Sequence, residues 1–333
     1  VAALWAERDV IGTAREVLRF ANLALIIDDA CVRSGPIDVI HVHNAGIRGM
    51  CAYAVAKRLD VPLAITVYSS EFGDEVANVP LAARCCERAD SVIGISQFCL
   101  DMVKEAGVDR PVSLVYCGTD YDRFRPDIDT SGIRAQYGVG PEDVLILTAG
   151  WLSYRKGQDL LVEAAAQLAK EQRLGNARIL ICGPSSPNDP LVENLEKRIA
   201  ESGMEQRVQL VGEVSADDLV KLYATADVFV FPTRLRTEGF GLVAAEAMAC
   251  GTPVVASRVG AIPEVVRDGK TGLLFEPDDA GDLAEKLGAL LDDPDLRAEF
   301  ASNAPKHVRK HFSWEEAAQL LEAIYRQCLE ERR

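Results

Sequence analysis

The sequence contains no apolar run approaching the roughly 20 residues that would span a bilayer. Its longest candidate, Leu23 to Ile27, ends in Asp28-Asp29 and reads as part of a core helix. No basic segment followed by an apolar one marks a secretory leader, and the chain opens at Val1 rather than at a methionine. Basic residues are in deficit: 36 Lys plus Arg stand against 51 Asp plus Glu, a formal net charge of −15 over 333 residues. That balance argues against a nucleic-acid partner and against a polybasic membrane-surface protein, although a few local cations suffice for one anionic ligand. The nine cysteines are odd in number and never spaced C-x-x-C, and most lie within apolar runs. Reduced thiols filling the core of a cytoplasmic protein are therefore expected. There is no repeat of solenoid period and no low-complexity segment. What remains is an ordinary globular composition, 48% apolar and 26% charged. At about 150 residues per domain, the length suggests two domains.

Short β-branched runs alternate with amphipathic stretches. Ile37–His43, Pro62–Tyr68, Ser91–Ile95 and Val112–Tyr116 read as strands, separated by helices Ile47–Leu59, Leu81–Ala89 and Gln97–Ala106. A longer apolar-periodic segment, Ala14–Val32, precedes them and stops at Ser34-Gly35-Pro36. A polar stretch rich in Gly and Pro, Asp120 to Pro141, breaks the pattern. A second series follows, with strands Val144–Ala149, Arg178–Cys182, Val208–Val211, Val228–Pro232, Pro253–Ser257 and Gly272–Phe275. Helices Asp159–Glu171, Leu191–Glu201, Asp217–Thr225 and Leu242–Cys250 lie between them, and Asp282–Leu291 and Trp314–Glu330 close the chain. Strands apolar on both faces, alternating with helices, indicate parallel sheets covered on both sides. The expected fold is α/β with two doubly wound, Rossmann-like domains. The expected boundaries are 1–125, a linker 126–141, a second domain 142–310, and a C-terminal helix 311–333 packing back on the first.

In open α/β sheets, ligands bind beyond the carboxyl ends of the strands. Five basic residues follow strands of the second series: Arg155, Lys156, Arg234, Arg236 and Arg258. With several glycines beside them, they suggest a phosphate site. Glu238 precedes the helix that begins near Leu242, Gly239 and Gly241 let backbone approach a ligand, and Glu246 lies in that helix's second turn. A helix start flanked by two carboxylates suits a ligand with a diphosphate in its middle and hydroxyls at both ends.

Glu238-Gly-Phe-Gly-Leu-Val-Ala-Ala-Glu246 resembles the E-x7-E motif of retaining GT-B glycosyltransferases of the large family-four group. Ala226-Asp-Val-Phe-Val-Phe-Pro-Thr before it, Ala247-Met-Ala-Cys-Gly-Thr-Pro after it, and Asp268-Gly-Lys-Thr-Gly-Leu-Leu-Phe275 agree. The resemblance implies that Glu238 holds hydroxyls of a donor sugar, helped by the backbone of Gly239, Phe240 and Gly241. It also implies that the N–H groups of Leu242 and Val243 bind the diphosphate, that Glu246 holds the ribose, and that Lys156 neutralises the leaving diphosphate. Gly212, Glu213 and Val214 would lie near the base. The implied donor is a UDP- or GDP-linked sugar and the implied acceptor a glycan, a lipid-linked sugar or a small molecule. A lipid-linked acceptor would admit peripheral membrane association. No cofactor or metal is implied, since a helix dipole and side-chain cations take that role.

Three departures stand out. Trp151 replaces the usual Arg of the Gly-Arg-Leu…Lys-Gly pattern, with Arg155 as a substitute charge. Tyr68 stands where the first domain usually has an active-site His, with His43 as its acceptor-side neighbour. Nothing before Ala14 resembles the family's opening strand and Gly-Gly loop, so an incomplete first domain is expected.

Other readings compete. A non-catalytic relative that binds a nucleotide or glycan with a partner's help would fit Tyr68 and the missing opening. Gly239-x-Gly241-x-x-Ala244 formally matches the dinucleotide fingerprint of an NAD(P)-binding oxidoreductase, but seven residues separate it from its strand. His41 and His43 alternate onto one strand face, which suggests packing or acceptor lining more than a metal pair. His307 and His311 read as a surface helix. The D-x-D pairs at Asp120, Asp127 and Asp293 read as turns and caps.

Overall fold

The computed structural model describes residues 23–31, 33–72, 79–186 and 190–332. The first part of the expected Ala14–Val32 helix, and the segment where an opening strand and Gly-Gly loop were expected to be missing, lie outside the described residues. Residues 23–31 and 33–34 are helical (α1). The chain divides into two units, Val1–Tyr116 with Ala317–Arg333, and Cys117–Glu316.

In the first unit, β1 (Ile40–His43), α2 (Ile47–Leu59), β2 (Leu63–Val67), α3 (Val79–Arg88), β3 (Ser91–Gly94), α4 (Gln97–Glu105) and β4 (Val112–Leu114) alternate. The strands form one parallel sheet in the order β1-β2-β3-β4, with His43 registered on Thr66. All five residues of β2 are buried, as a strand covered on both faces requires.

The second unit contains α5 (Ile133–Gln136), β5 (Leu145–Ala149), α6 (Gln158–Lys170), β6 (Arg178–Cys182), α7 (Pro190–Glu201), β7 (Val208–Gly212) and α8 (Ala216–Thr225). It continues through β8 (Val228–Phe231), α9 (Leu242–Ala249), β9 (Val254–Ser257), α10 (Ile262–Val265), β10 (Gly272–Phe275), α11 (Ala280–Asp292) and α12 (Pro294–His311). Its six strands run in the order β10-β9-β8-β5-β6-β7, every pair parallel. Strand order reverses between β5 and β8, so a crevice is expected beyond their carboxyl ends. Ile146, Leu161, Leu168, Ile179, Val230, Leu283, Leu287 and Phe300 meet in one buried cluster that holds the sheet to its helices. Ser215 caps α8 by accepting from the Asp218 N–H at 3.0 Å.

The last helix, α13 (Trp314–Glu330), crosses the division between the units. Its Ala317 packs with Ala64, Ile93 and Val115 of the first unit, and Leu321, Ile324 and Tyr325 extend that contact.

The expected linker 126–141 is not a tether, and the first unit's N-terminal part ends at Tyr116 rather than at 125. Arg134 in α5 donates to the carbonyls of Thr225 (3.0 Å) and Gly140 (3.2 Å) and lies 3.5 Å from Asp227. One guanidinium thus satisfies several loop carbonyls, so the Gly and Pro residues there serve turns inside the second unit. The second unit also runs to Glu316 rather than 310. Helix α12 was anticipated only around His307 and His311; it begins at Pro294, where Asp293 accepts from the Leu296 N–H at 2.9 Å and Pro294 occupies the first turn. Asp120 and Asp129 likewise accept from backbone two residues on (3.1 and 2.9 Å), so these D-x-D pairs make turns.

Burial governs the thiols. Seven of the nine cysteines are buried, and burial pushes Cys182 and Cys250 up to about 12, which keeps them as neutral packing groups.

Candidate donor site in the second unit

The loops at the carboxyl ends of β5, β6 and β7 are stitched by backbone. The Gly150 N–H donates to the Cys182 carbonyl (3.0 Å), and the Gly183 N–H to the Gly212 carbonyl (2.7 Å). On the other side of the switch, the loop after β8 joins the loop after β5. The Arg234 N–H donates to the Arg155 carbonyl at 2.8 Å, and the Thr233 hydroxyl donates to the same oxygen at 3.2 Å.

This junction brings Lys156, in the single 3-10 turn Tyr154–Lys156, to Glu238. Lys156 Nζ lies 2.7 Å from Glu238 Oε2, with the side chains 28% and 15% exposed. The ammonium also lies 5.2 Å from the centre of the Phe231 ring. The Glu238 backbone is clamped at both ends: its N–H donates to Leu235, and its carbonyl accepts from the Ala261 N–H, each at 2.9 Å. A Cβ at Gly260 would sit 2.3 Å from that carbonyl, so residue 260 must be glycine for the clamp to close. Gly260 is one of the glycines that follow a strand of the second series; its contact with Glu238 was not foreseen.

Gly241 caps α9 in the left-handed region (φ 87°) with no side-chain cap, so no capping oxygen competes for the N–H groups of Leu242 and Val243. Phe240 turns inward, packing edge-on against Phe312 at 5.1 Å, so its ring belongs to the core. Glu246 is partly buried, and burial pushes its carboxyl up to about 6, against the opposing pull of Tyr223 and Arg123. The Tyr223 hydroxyl, on a fully buried ring, is 3.4 Å from Glu246 Oε2. Tyr223 escaped the sequence reading because a buried aromatic at helical spacing looks like core; its hydroxyl needs a polar partner there. The Tyr223→Phe variant should raise the Glu246 carboxyl further, since a donor to the ionised form is lost. Carboxyl-labelled NMR titration measures this.

The five cations sort differently from the expected basic pocket. Arg234 is spent on structure: it grips Asp159 with two bonds (2.6 and 2.9 Å), reaches Asp278 at 2.5 Å and stacks 4.3 Å from the Tyr154 ring centre. Arg258 pairs with Asp268 (2.6 Å) and Glu276 (3.4 Å). The side chains of Arg155 and Arg236 are exposed, as is Trp151. Lys156 is therefore the cation that the fold brings to the motif. Gly212 ends β7, which is an edge strand, and Glu213 follows it, exposed.

In the first unit, His43 and Tyr68 come together at the ends of β1 and β2, Nδ1 to hydroxyl at 2.8 Å. His41 is committed to packing. Its Nδ1 meets the Tyr325 hydroxyl (2.6 Å), its Nε2 the Thr66 hydroxyl (2.7 Å), and burial beside His43 pushes it down to about 4. Of the expected surface pair, His311 is exposed but His307 is not. His307 is partly buried against Phe312, with ring centres 5.6 Å apart, and burial pushes it down to about 4. Its α12 lies against α9, so that face of the helix turns inward. Among the described residues no three His, Cys, Asp or Glu side chains are grouped to hold a metal ion. No helix among them is long and apolar enough to cross a membrane.

The dinucleotide fingerprint fails on geometry, since Gly239 lies in a loop well past the end of β8 at Phe231 rather than in a tight strand-to-helix turn.

Known proteins align with this arrangement. Residues 129–307 match the family described as "Glycosyl transferases group 1", and residues 13–123 match "Glycosyltransferase Family 4". A D-inositol 3-phosphate glycosyltransferase of Xylanimonas cellulosilytica is 34% identical over 319 residues, 90% of this chain and 74% of the relative. One from Streptomyces bingchenggensis is 32% identical over 316 residues, covering 89% and 68%. Among solved structures, Anabaena Alr3699/HepE with UDP and glucose superposes with a TM-score of 0.78 at 25% identity, covering 91% of this chain and 80% of that one. Sucrose-phosphate synthase from Thermosynechococcus elongatus gives 0.81 at 28% identity, covering 94% and 79%. With two parallel α/β sheets and matches along both, the chain belongs to the family-four, group 1 glycosyltransferases of GT-B fold.

Proposed function

We propose that this enzyme transfers a sugar from a nucleoside-diphosphate sugar to an acceptor hydroxyl with retention of anomeric configuration. The observation that carries the reading is the Lys156–Glu238 pair at the β5/β8 reversal, which joins the loop after β5 to the loop leading into α9. In this reading Glu238 accepts from sugar hydroxyls, and the Leu242 and Val243 N–H groups with Lys156 take the diphosphate. Glu246 accepts from the ribose, and Gly212 and Glu213 lie on the base side. Charge developing on the leaving diphosphate is met by the Lys156 ammonium and a helix start, so no metal is called for. The departing diphosphate oxygen then takes the acceptor proton on the face where the new bond forms. Arg155 lends a second, solvent-facing charge, and His43 with Tyr68 serves the acceptor side. The two UDP complexes of the Anabaena neighbour make UDP sugars the first donors to try. The relatives' name makes D-inositol 3-phosphate the first acceptor.

The test is transfer from UDP-, GDP- and ADP-linked sugars in the presence of EDTA, with product anomers assigned by NMR. Release of nucleoside diphosphate with a product of the donor's own anomeric configuration is expected. An inverted product would overturn retention, and dependence on an added divalent cation would overturn the metal-free reading. Nucleotide binding with neither hydrolysis nor transfer would favour a non-catalytic role instead.

A further inference from the structure

Lys156 and Glu238 neutralise each other at 2.7 Å, although the donor reading asks each of them to hold a different part of one ligand. We propose that this ion pair makes the site prefer a sugar nucleotide over the bare nucleoside diphosphate, an inference that rests on that reading. A diphosphate that recruits Lys156 withdraws the ammonium from a carboxylate only 15% exposed, and a poorly hydrated carboxylate without a partner is costly. When the diphosphate carries a sugar, hydroxyl donors reach Glu238 in the same event. The ammonium moves from carboxylate to phosphate, and the sugar hydroxyls replace it. When the sugar is missing, nothing replaces it. The pair thus penalises the bare diphosphate, which is the product, more than the donor, and favours its departure after transfer.

The surroundings suit a side-chain exchange. The loops that carry both residues are joined by the Arg234 and Thr233 bonds to Arg155, and the Glu238 backbone is clamped by Leu235 and Ala261. Backbone movement would break those bonds, whereas the lysine stem needs only a change of rotamer. The Phe231 ring face beside the ammonium adds a favourable resting contact for the ligand-free state.

The test is a double-mutant cycle read by calorimetry, using UDP, GDP and ADP and the glucose conjugate of whichever binds. Glu238→Gln keeps the side-chain shape and the backbone clamps, and a thermal melt checks its folding. The bare diphosphate should bind about tenfold more tightly to this variant, equivalent to about 1.4 kcal/mol. The glucose conjugate should gain less or lose affinity. In a Lys156→Ala background the gain should disappear. Persistence of the gain there would reduce the effect to plain charge repulsion and overturn the proposal, as would no gain or an equal gain for the glucose conjugate. The donor reading fails separately, by a different signature: either Lys156→Ala leaves diphosphate affinity unchanged, or none of the three diphosphates binds the unaltered protein. Either outcome also overturns the proposal.

Discussion

Lys156→Ala should lower the rate of transfer by about 10²–10³-fold, the usual effect of removing one fixed group that stabilises transition-state charge. Arg234 and Arg258, counted beside Lys156 in the sequence, are already engaged by Asp159, Asp278, Asp268 and Glu276. Those two arginines are therefore not held ready to replace the lost ammonium at Glu238. The donor KM should rise less than kcat falls, because the charge develops as the sugar departs. Lys156→Arg should recover only part of the rate, since a planar fork does not reproduce a point charge. Initial rates with varied donor, alongside a thermal melt, make the measurement. Unaltered kcat in the alanine variant would remove Lys156 from the reaction.

At Glu246 the expected result is a trade between stability and binding. An ordinary glutamate titrates at 4.5, whereas burial holds this one at about 6. The folded state therefore binds its proton more tightly than the unfolded state. The stability from that proton is fully present below 4.5 and lost as pH rises through about 6. Above that range the buried charge costs about 2 kcal/mol. Glu246→Gln should accordingly melt higher than the unaltered protein at pH 7, with the difference vanishing near pH 4. The same change should weaken nucleotide binding by about 10–100-fold, because hydrogen bonds from ribose hydroxyls to a carboxylate are worth about 1.5–3 kcal/mol. As pH falls through 6, affinity of the unaltered protein should drop while that of Glu246→Gln drops less. Comparing the two cancels titration of the nucleotide's own phosphate. Equal affinity at pH 7 would remove Glu246 from the ribose.

Much of the fold was legible because its signals are local. All-buried β2 and β5 read as parallel-sheet strands from their β-branched runs. The stretch before Leu145 was misread for the same reason: its Gly and Pro residues report turns, and turns occur in tethers and in packed loops alike. Arg134 reaching Thr225 decides between them, and that contact spans 91 residues.

The site divides along the same line. From the sequence alone come the E-x7-E spacing, the glycines around it, and the strand that must precede it, since spacing and backbone freedom belong to neighbouring residues. The resemblance already singled out Lys156 among the five cations; tertiary structure shows what Lys156, Arg234 and Arg258 pair with. Charge alone does not separate Arg234 from Lys156, yet Arg234 finds Asp159 across 75 residues while Lys156 finds Glu238 across 82. Nor does the sequence disclose that Glu246 rests on Tyr223, or that Gly260 must lack a side chain to close on Glu238. Charge pairing, burial and close approach depend on which distant segments meet, and the hydrophobic pattern that drives the meeting says nothing about which polar groups will pair when it does.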